Sequence, residues 1–88
     1  MRRNPDFLLR DVAGTKVIVP IGAAVTVFPG MITVNDTGAY LWELLETEQT
    51  ADSLADALLA RYEVAWEQAK ADVEMFLEKL QPTGAVVG

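Results

Sequence analysis

The spacing of the apolar residues changes along the chain, and this change predicts where a strand gives way to a helix. Ile32 and Val34 flank a single polar residue, which is the two-residue period of a strand. Leu41 and Leu45 lie four residues apart, as residues on one face of a helix do. The period changes near residues 35 to 37, so the sequence predicts a strand that runs directly into a helix.

Two further strands are predicted before this junction. Phe7 to Val12 is largely apolar, and Ala13-Gly14 behind it suits the turn of a hairpin. Lys16 to Pro20 is β-branched at three successive positions and ends at a proline, which has no backbone donor for a further ladder bond. Met31 to Val34 is then the third strand. Residues 25 to 28 fit either an extension of a strand or an apolar loop, closed by a proline-glycine turn.

Three helices are predicted after the third strand. The first covers about Thr37 to Leu45, and its N-cap is drawn from the run Asn35-Asp-Thr37. The second begins after the N-cap Thr50 and ends near Tyr62, and the third ends before Pro82. Their predicted apolar stripes are Leu54, Ala55, Leu58, Leu59 and Tyr62 in the second helix, and Trp66, Ala69, Val73, Phe76, Leu77 and Leu80 in the third.

This order of elements predicts the fold class. Three short strands followed by three helices give a compact α+β domain that is winged helix-turn-helix-like, with a three-stranded antiparallel sheet. Ala85 to Val87 is expected to return as a short strand or wing. The sequence contains no repeat, linker or low-complexity segment, so residues 1 to 88 are predicted to form a single domain.

The residue types present exclude most catalytic chemistry. The chain has no Cys and no His, which removes thiolate nucleophiles, imidazole bases and the commonest zinc ligands. Acidic residues recur four apart on helix faces, without a third ligand that converges on them. These pairs are Asp52 with Asp56, Glu63 with Glu67, and Glu74 with Glu78. We therefore predict no catalytic residue, no metal site and no cofactor.

Charge is distributed unevenly between the two halves of the chain. Residues 1 to 35 carry four basic and two acidic side chains (+2), and residues 36 to 88 carry three basic and eleven acidic ones (−8), which sum to −6. A helical half this acidic repels phosphate backbones and favours basic or neutral partners. No apolar run reaches the roughly 18 to 20 residues that span a bilayer or forms a signal-peptide core. The sequence predicts a cytoplasmic protein with neither a nucleic-acid nor a membrane partner.

A series of short motifs, taken in order, resembles one family. The motifs are Phe-Leu-Leu-Arg10, Val-Ile-Val-Pro20, Asn35-Asp-Thr-Gly38, Leu41-Trp42-x-Leu44-Leu45, the Thr50 helix, Asp72-Val73-x-x-Phe76-Leu77-x-x-Leu80 and Gly84. Each motif alone occurs in many domains, whereas the ordered set from Phe7 to Val87 resembles the PqqD-like family. Members of that family recognise the leader of a ribosomally made peptide and present it to a modifying enzyme. The chain departs from the family at Ala65, where a helix-capping residue is common.

The resemblance implies a non-catalytic, peptide-binding role that works by strand addition. The leader peptide would lie along the third strand, in the cleft between that strand and the third helix. The implied partners are a precursor peptide and a maturation enzyme, with radical SAM enzymes as the candidate class. The implied peptide-binding residues are Met31, Ile32, Thr33 and Val34 along the strand, and Lys70, Val73 and Leu77 on the helix.

Alternatives remain for some residues and for the function. Val73 and Leu77 also fit the core, where aliphatic residues are most often found. Met75 and Ala71 form an apolar pair on the charged face of the third helix, which would mark a second surface. Two other functions fit the same architecture, a winged-helix DNA-binding regulator and a homodimeric interaction module whose third strand pairs with itself. Arg61 is the single basic residue of the second helix, which argues against the regulator, and the oligomeric state is left open between monomer and homodimer.

Overall fold

The three predicted strands and three predicted helices are present in the predicted order, together with a two-residue strand and a short helix that the sequence did not predict. The computed structural model describes all 88 residues. The strands are β1 (Arg2–Arg3), β2 (Phe7–Val12), β3 (Thr15–Pro20), β4 (Ile32–Val34) and β5 (Val86–Val87), and the helices are α1 (Ala24–Val27), α2 (Asp36–Leu44), α3 (Ala51–Arg61) and α4 (Trp66–Leu80), with a 3-10 turn at Gln81–Thr83. The α+β fold class predicted from the sequence is confirmed. None of the helices is long and apolar enough to cross a membrane.

The main sheet is antiparallel, with the strand order β2-β3-β4. Its first hairpin turns at Ala13 and Gly14, which both have positive φ (54° and 83°), as a two-residue turn between twisted strands requires. The Asp11 carboxylate accepts a hydrogen bond from the Gly14 amide at 2.9 Å and fixes this turn. In the second pairing Val17 lies opposite Thr33. The sheet therefore ends at β4, the strand that leads into α2.

The hydrophobic core lies between this sheet and the three long helices. Its most completely buried large side chains are Ile18, Leu41, Leu45, Leu54, Leu58, Val73 and Leu80. The predicted stripes of α3 and α4 face this core, apart from Leu59 and Trp66, which remain 37% and 38% exposed. These two residues stand at the borders of their stripes, so the buried face of each helix is narrower than the sequence predicted. Trp42 is buried in the core and is not a surface residue.

Side-chain caps fix where α2 and α3 begin. Asn35 is the N-cap of α2, because its Oδ1 accepts a hydrogen bond from the Gly38 amide at 2.8 Å. Thr50 caps α3 through a reciprocal pair with Ser53, in which each side chain accepts from the other residue's backbone amide. Ala65 precedes α4 and makes no side-chain cap, as the sequence indicated.

Two parts of the fold differ from the predictions. Residues 24 to 27 form the short helix α1 rather than a strand or an apolar loop, because Gly22 turns the chain with a φ of 57° and Ala24 is drawn into the core. The predicted return strand near the C-terminus exists as β5, but it pairs with β1 in a separate two-stranded sheet. Because β1 is two arginines long, no apolar period marks it in the sequence.

Candidate functional site

One side of β4 is free of backbone partners. The strand pairs with β3 on its inner side only, and none of the backbone hydrogen bonds formed outside helices and strand ladders involves residues 32 to 34. Ile32 and Val34 are buried, which holds the strand on the core, while Thr33 between them faces outward. A strand with this arrangement offers its outer edge to another strand.

A cleft lies beside this edge, between β4, the first turn of α2 and one flank of α4. Its open volume is about 240 Å³, and its floor is apolar where Val34, Leu41 and Phe76 meet. Small-molecule sites usually enclose about 300 to 1,000 Å³, so this cleft is better suited to a few side chains of a longer ligand. The lining residues are Thr33, Val34, Asn35, Thr37, Gly38, Leu41, Asp72, Met75, Phe76 and Lys79.

Gly38 allows α2 to approach the strand and α4 closely. A Cβ at this position would lie 3.1 Å from the Cβ of Val34 and 3.4 Å from a ring carbon of Phe76. No side chain fits there without a shift of its neighbours, since the first of these distances is shorter than an ordinary van der Waals contact. The glycine therefore sets the position of Phe76 in the floor of the cleft.

A single cation and a single anion line the cleft, both on α4. The Lys79 ammonium donates a hydrogen bond to the carbonyl oxygen of Thr33 in β4. Asp72 lies two helical turns earlier, about 10 Å away along the axis. Its carboxylate accepts a hydrogen bond from Gln68 at 2.8 Å. The cleft is therefore positive at one end, negative at the other and apolar between them.

The helical wall of this cleft differs from the predicted one. Lys70 lies on the opposite flank of α4, where it forms an ion pair with Asp52 of α3 and lies 5.8 Å from the ring centre of Trp66. The hydrogen bond with Asp52 raises the pKa of Lys70. Val73 and Leu77 are buried in the core between the two flanks. Of the three helix residues predicted to bind the peptide, none lines this cleft, and Lys70 lies on the flank of α4 that packs against α3.

The residues that do line the wall carried only a weak signal in the sequence. Met75 is 68% exposed and faces the cleft, so the apolar pair that it forms with Ala71 does not mark a separate second surface. In the sequence, Lys79 could not be distinguished from an ordinary solvent-exposed charge at the end of a helix. On a helical wheel Asp72, Met75 and Lys79 fall within about 60° of one another, and this grouping was the available clue. Of the predicted strand residues, Thr33 and Val34 line the cleft, Ile32 to Val34 form β4, and Met31 lies just before the strand.

A second cluster of polar and aromatic side chains lies on the other side of α2. Arg61 stacks over Tyr40, with its guanidinium carbon 4.4 Å from the ring centre, and Tyr40 meets Tyr62 edge to face at 6.4 Å. These contacts occupy the one basic residue of α3 against aromatic rings of the same chain. Nowhere in the molecule are three or more acidic side chains grouped closely enough to hold a metal ion.

The fold and the cleft together define a class of small, winged helix-turn-helix-like α+β domains with an open sheet edge beside a helix. The profile of the family described as coenzyme PQQ synthesis protein D (PqqD) matches residues 16 to 86. The chain belongs to the PqqD family.

Two solved structures share the fold over nearly the whole chain. One is TbiB1 in complex with the TbiA(beta) leader peptide, which is 19% identical, with a TM-score of 0.76 and coverage of 100% of this chain and 96% of that one. The other is lasso peptide synthetase B1 complexed with the leader peptide, which is 21% identical, with a TM-score of 0.73 and coverage of 99% and 96%. No curated protein sequence matches the chain.

Proposed function

We propose that this protein is a non-catalytic recognition domain that binds the leader of a ribosomally made precursor peptide as an added strand along β4. The observation that carries the proposal is the free outer edge of β4, which lies directly beside an open, partly apolar cleft. Family membership supports the proposal, and so does the presence of a leader peptide in both similar structures.

The energetics require the cleft as well as the strand edge. About four ladder hydrogen bonds at roughly 0.5 to 1.5 kcal/mol each supply about 2 to 6 kcal/mol, while association costs about 4 to 15 kcal/mol. Apolar burial has to supply the difference. Covering the exposed part of Met75 contributes about 1 to 2 kcal/mol, since full burial of such a side chain is worth about 1.5 to 3 kcal/mol.

The bound leader would be presented to a maturation enzyme, with radical SAM enzymes as the class that the family resemblance suggests. The protein itself would take no part in the chemistry, because its chain offers no His or Cys and its carboxylates do not converge. Its contribution is to hold a disordered leader in one extended conformation.

A titration of the ¹⁵N-labelled protein tests the proposal. The ligands are synthetic candidate leader peptides. Amide shifts should concentrate at residues 31 to 35 and on α4 at Asp72, Met75, Phe76 and Lys79. Shifts confined to α3 and to residues 46 to 49, or no shifts at any leader concentration, would contradict strand addition at β4.

A pair of variants locates the contact. Met75→Ala should weaken binding by roughly five- to thirtyfold, the equivalent of about 1 to 2 kcal/mol. Leu59→Ala is the matched control, because Leu59 is also partly exposed but lies on α3. Equal losses in both variants would mean that the leader does not occupy the cleft.

The two alternative functions are less well supported. DNA recognition by α3 would place Asp52 and Asp56 against phosphates, and Arg61 is already stacked on Tyr40. A homodimer through β4 would leave the peptide no edge to pair with. The elution volume of the purified protein separates a dimer from the 9.6 kDa monomer.

A further inference from the structure

The free edge of β4 is already occupied at one point by a side chain of the same protein. The ammonium of Lys79 donates to the Thr33 carbonyl, which lies in the middle of the strand. Both side chains are exposed, and this contact joins residues 46 positions apart. Natural proteins commonly place lysine at a sheet edge, because a charged side chain hinders the pairing of unwanted strands.

A strand that pairs with this edge competes with Lys79 for its acceptor. Its own backbone N–H must replace the ammonium at Thr33, because ladder pairing uses the carbonyls along the edge. The displaced ammonium then lies beside the bound strand and needs another acceptor. Water supplies one only in part, because the bound strand covers that side of the cleft. A carboxylate on the strand supplies a stronger one.

We propose that Lys79 gates the β4 edge and selects peptide segments that carry an acidic side chain next to the residue paired with Thr33. The proposal rests on the function proposed above and adds a residue preference to it. In the unliganded protein Lys79 protects the edge. In the complex the same ammonium pairs with the carboxylate of the incoming strand.

Asp72, the second charged residue of the cleft, determines at which end of the cleft an acidic side chain is favoured. Asp72 lies two helical turns from Lys79, so a carboxylate at that end of the cleft would be repelled, while one at the Lys79 end is attracted. The residues between these charges, Met75 and Phe76, favour an apolar side chain. The preferred segment therefore has an acidic residue at the Lys79 end of the cleft and a neighbouring apolar residue that covers Met75.

The net charge of the protein does not explain a preference for acidic peptides. At −6 the molecule repels acidic peptides at long range, so an acidic preference has to come from a nearby cation. Lys79 is the one cationic side chain that lines the cleft. Lys70 lies on the same helix and pairs with Asp52 on the other flank. Lys70→Gln and Lys79→Gln change the net charge equally, so the first is a matched control for the second.

The test is a selection from an mRNA-displayed library of random 15-residue peptides against the immobilised full chain. Wild type, Lys70→Gln, Lys79→Gln and Lys79→Glu are used in parallel at about 150 mM salt. Wild type and Lys70→Gln should enrich the same segments, with one acidic residue and one apolar residue at a fixed spacing. Lys79→Gln should lose the acidic residue, and Lys79→Glu should replace it with a basic one.

A titration with the most enriched wild-type peptide then measures the contact. Changing its acidic residue to the amide should weaken binding to wild type by about fivefold, the size of one exposed ion pair, and should leave binding to Lys79→Gln unchanged. If all four proteins enrich peptides of the same charge, the gate is refuted while strand addition stands. If none of them enriches any peptide, the proposed function fails and the gate fails with it.

Discussion

Replacing Gly38 with alanine tests whether close packing of α2 shapes the cleft. Gly38 is buried in the first turn of α2, and its amide is held by the Asn35 side chain. An added methyl group would meet Val34 at 3.1 Å and Phe76 at 3.4 Å. The first neighbour is a Cβ fixed to the backbone of β4, so it yields less readily than the end of a flexible side chain.

Two effects of opposite sign decide the stability of this variant. Alanine favours a helix over glycine by about 0.8 to 1 kcal/mol, while overpacking a filled interior costs about 1 to 3 kcal/mol. We expect a net loss of about 1 kcal/mol in the free energy of unfolding. In a domain of this size that loss lowers the melting temperature by about 4 to 8 °C. The shifted Phe76 ring should also narrow the cleft.

Urea unfolding followed by tryptophan fluorescence measures the change, because the buried Trp42 becomes exposed on unfolding. Ala71→Gly, at an exposed position in α4, calibrates the helix preference in this protein and should cost about 1 kcal/mol. The amide shifts of Val34 and Phe76 report the movement in the cleft. A Gly38→Ala protein that is more stable than wild type, with those shifts unchanged, would refute the packing argument.

Three further predictions concern the elements that support the cleft. Asn35→Ala removes the cap of α2 and should cost about 1 kcal/mol of unfolding free energy, measured by urea unfolding. Leu58→Ala should cost about 2 to 5 kcal/mol because the residue is 1% exposed, whereas its neighbour Leu59→Ala should cost much less. Lys70→Gln removes the pair with Asp52. Because that pair raises the pKa of Lys70, the difference in stability from wild type should be constant from pH 7 to 9 and should disappear only as the pH rises through that raised pKa, above 10.5.

Much of the fold could be predicted because local signals and packing agree. Thr50 and the apolar stripe behind it correctly predicted the start of α3, whereas the N-cap of α2 was left open within Asn35–Thr37 and is Asn35. Helix α1 could not be predicted, because four residues give no helical period and its start depends on the turn at Gly22. The pairing of β1 with β5 joins the two ends of the chain, and neither strand has an apolar pattern that indicates its partner.

The sequence indicated the two elements that border the candidate cleft, but not the face of the helix that lines it. The sequence indicated an edge strand near residue 33 and a long helix with an apolar stripe, but a stripe does not show which of its flanks meets the sheet. That choice depends on the packing of α3 against α4. Asp52 of α3 pairs with Lys70 on one flank of α4, and the flank that carries Asp72 therefore faces β4. The hydrogen bond from Lys79 to Thr33 follows from this rotation of α4. No spacing of residues in the sequence encodes it.

The same hydrogen bond bears on how a domain with an open sheet edge avoids pairing with itself. In a two-fold antiparallel pair of β4 strands, the Thr33 carbonyl of each copy would need an amide donor in place of its lysine. Both Lys79 ammonium groups would then lose their acceptor and lie beside the new three-residue ladder. A strand of three residues offers too few ladder bonds to offset that displacement. An edge that is too short and too charged for self-pairing, yet adjoins an apolar cleft, therefore favours a peptide that brings its own apolar anchor and its own acceptor for the lysine.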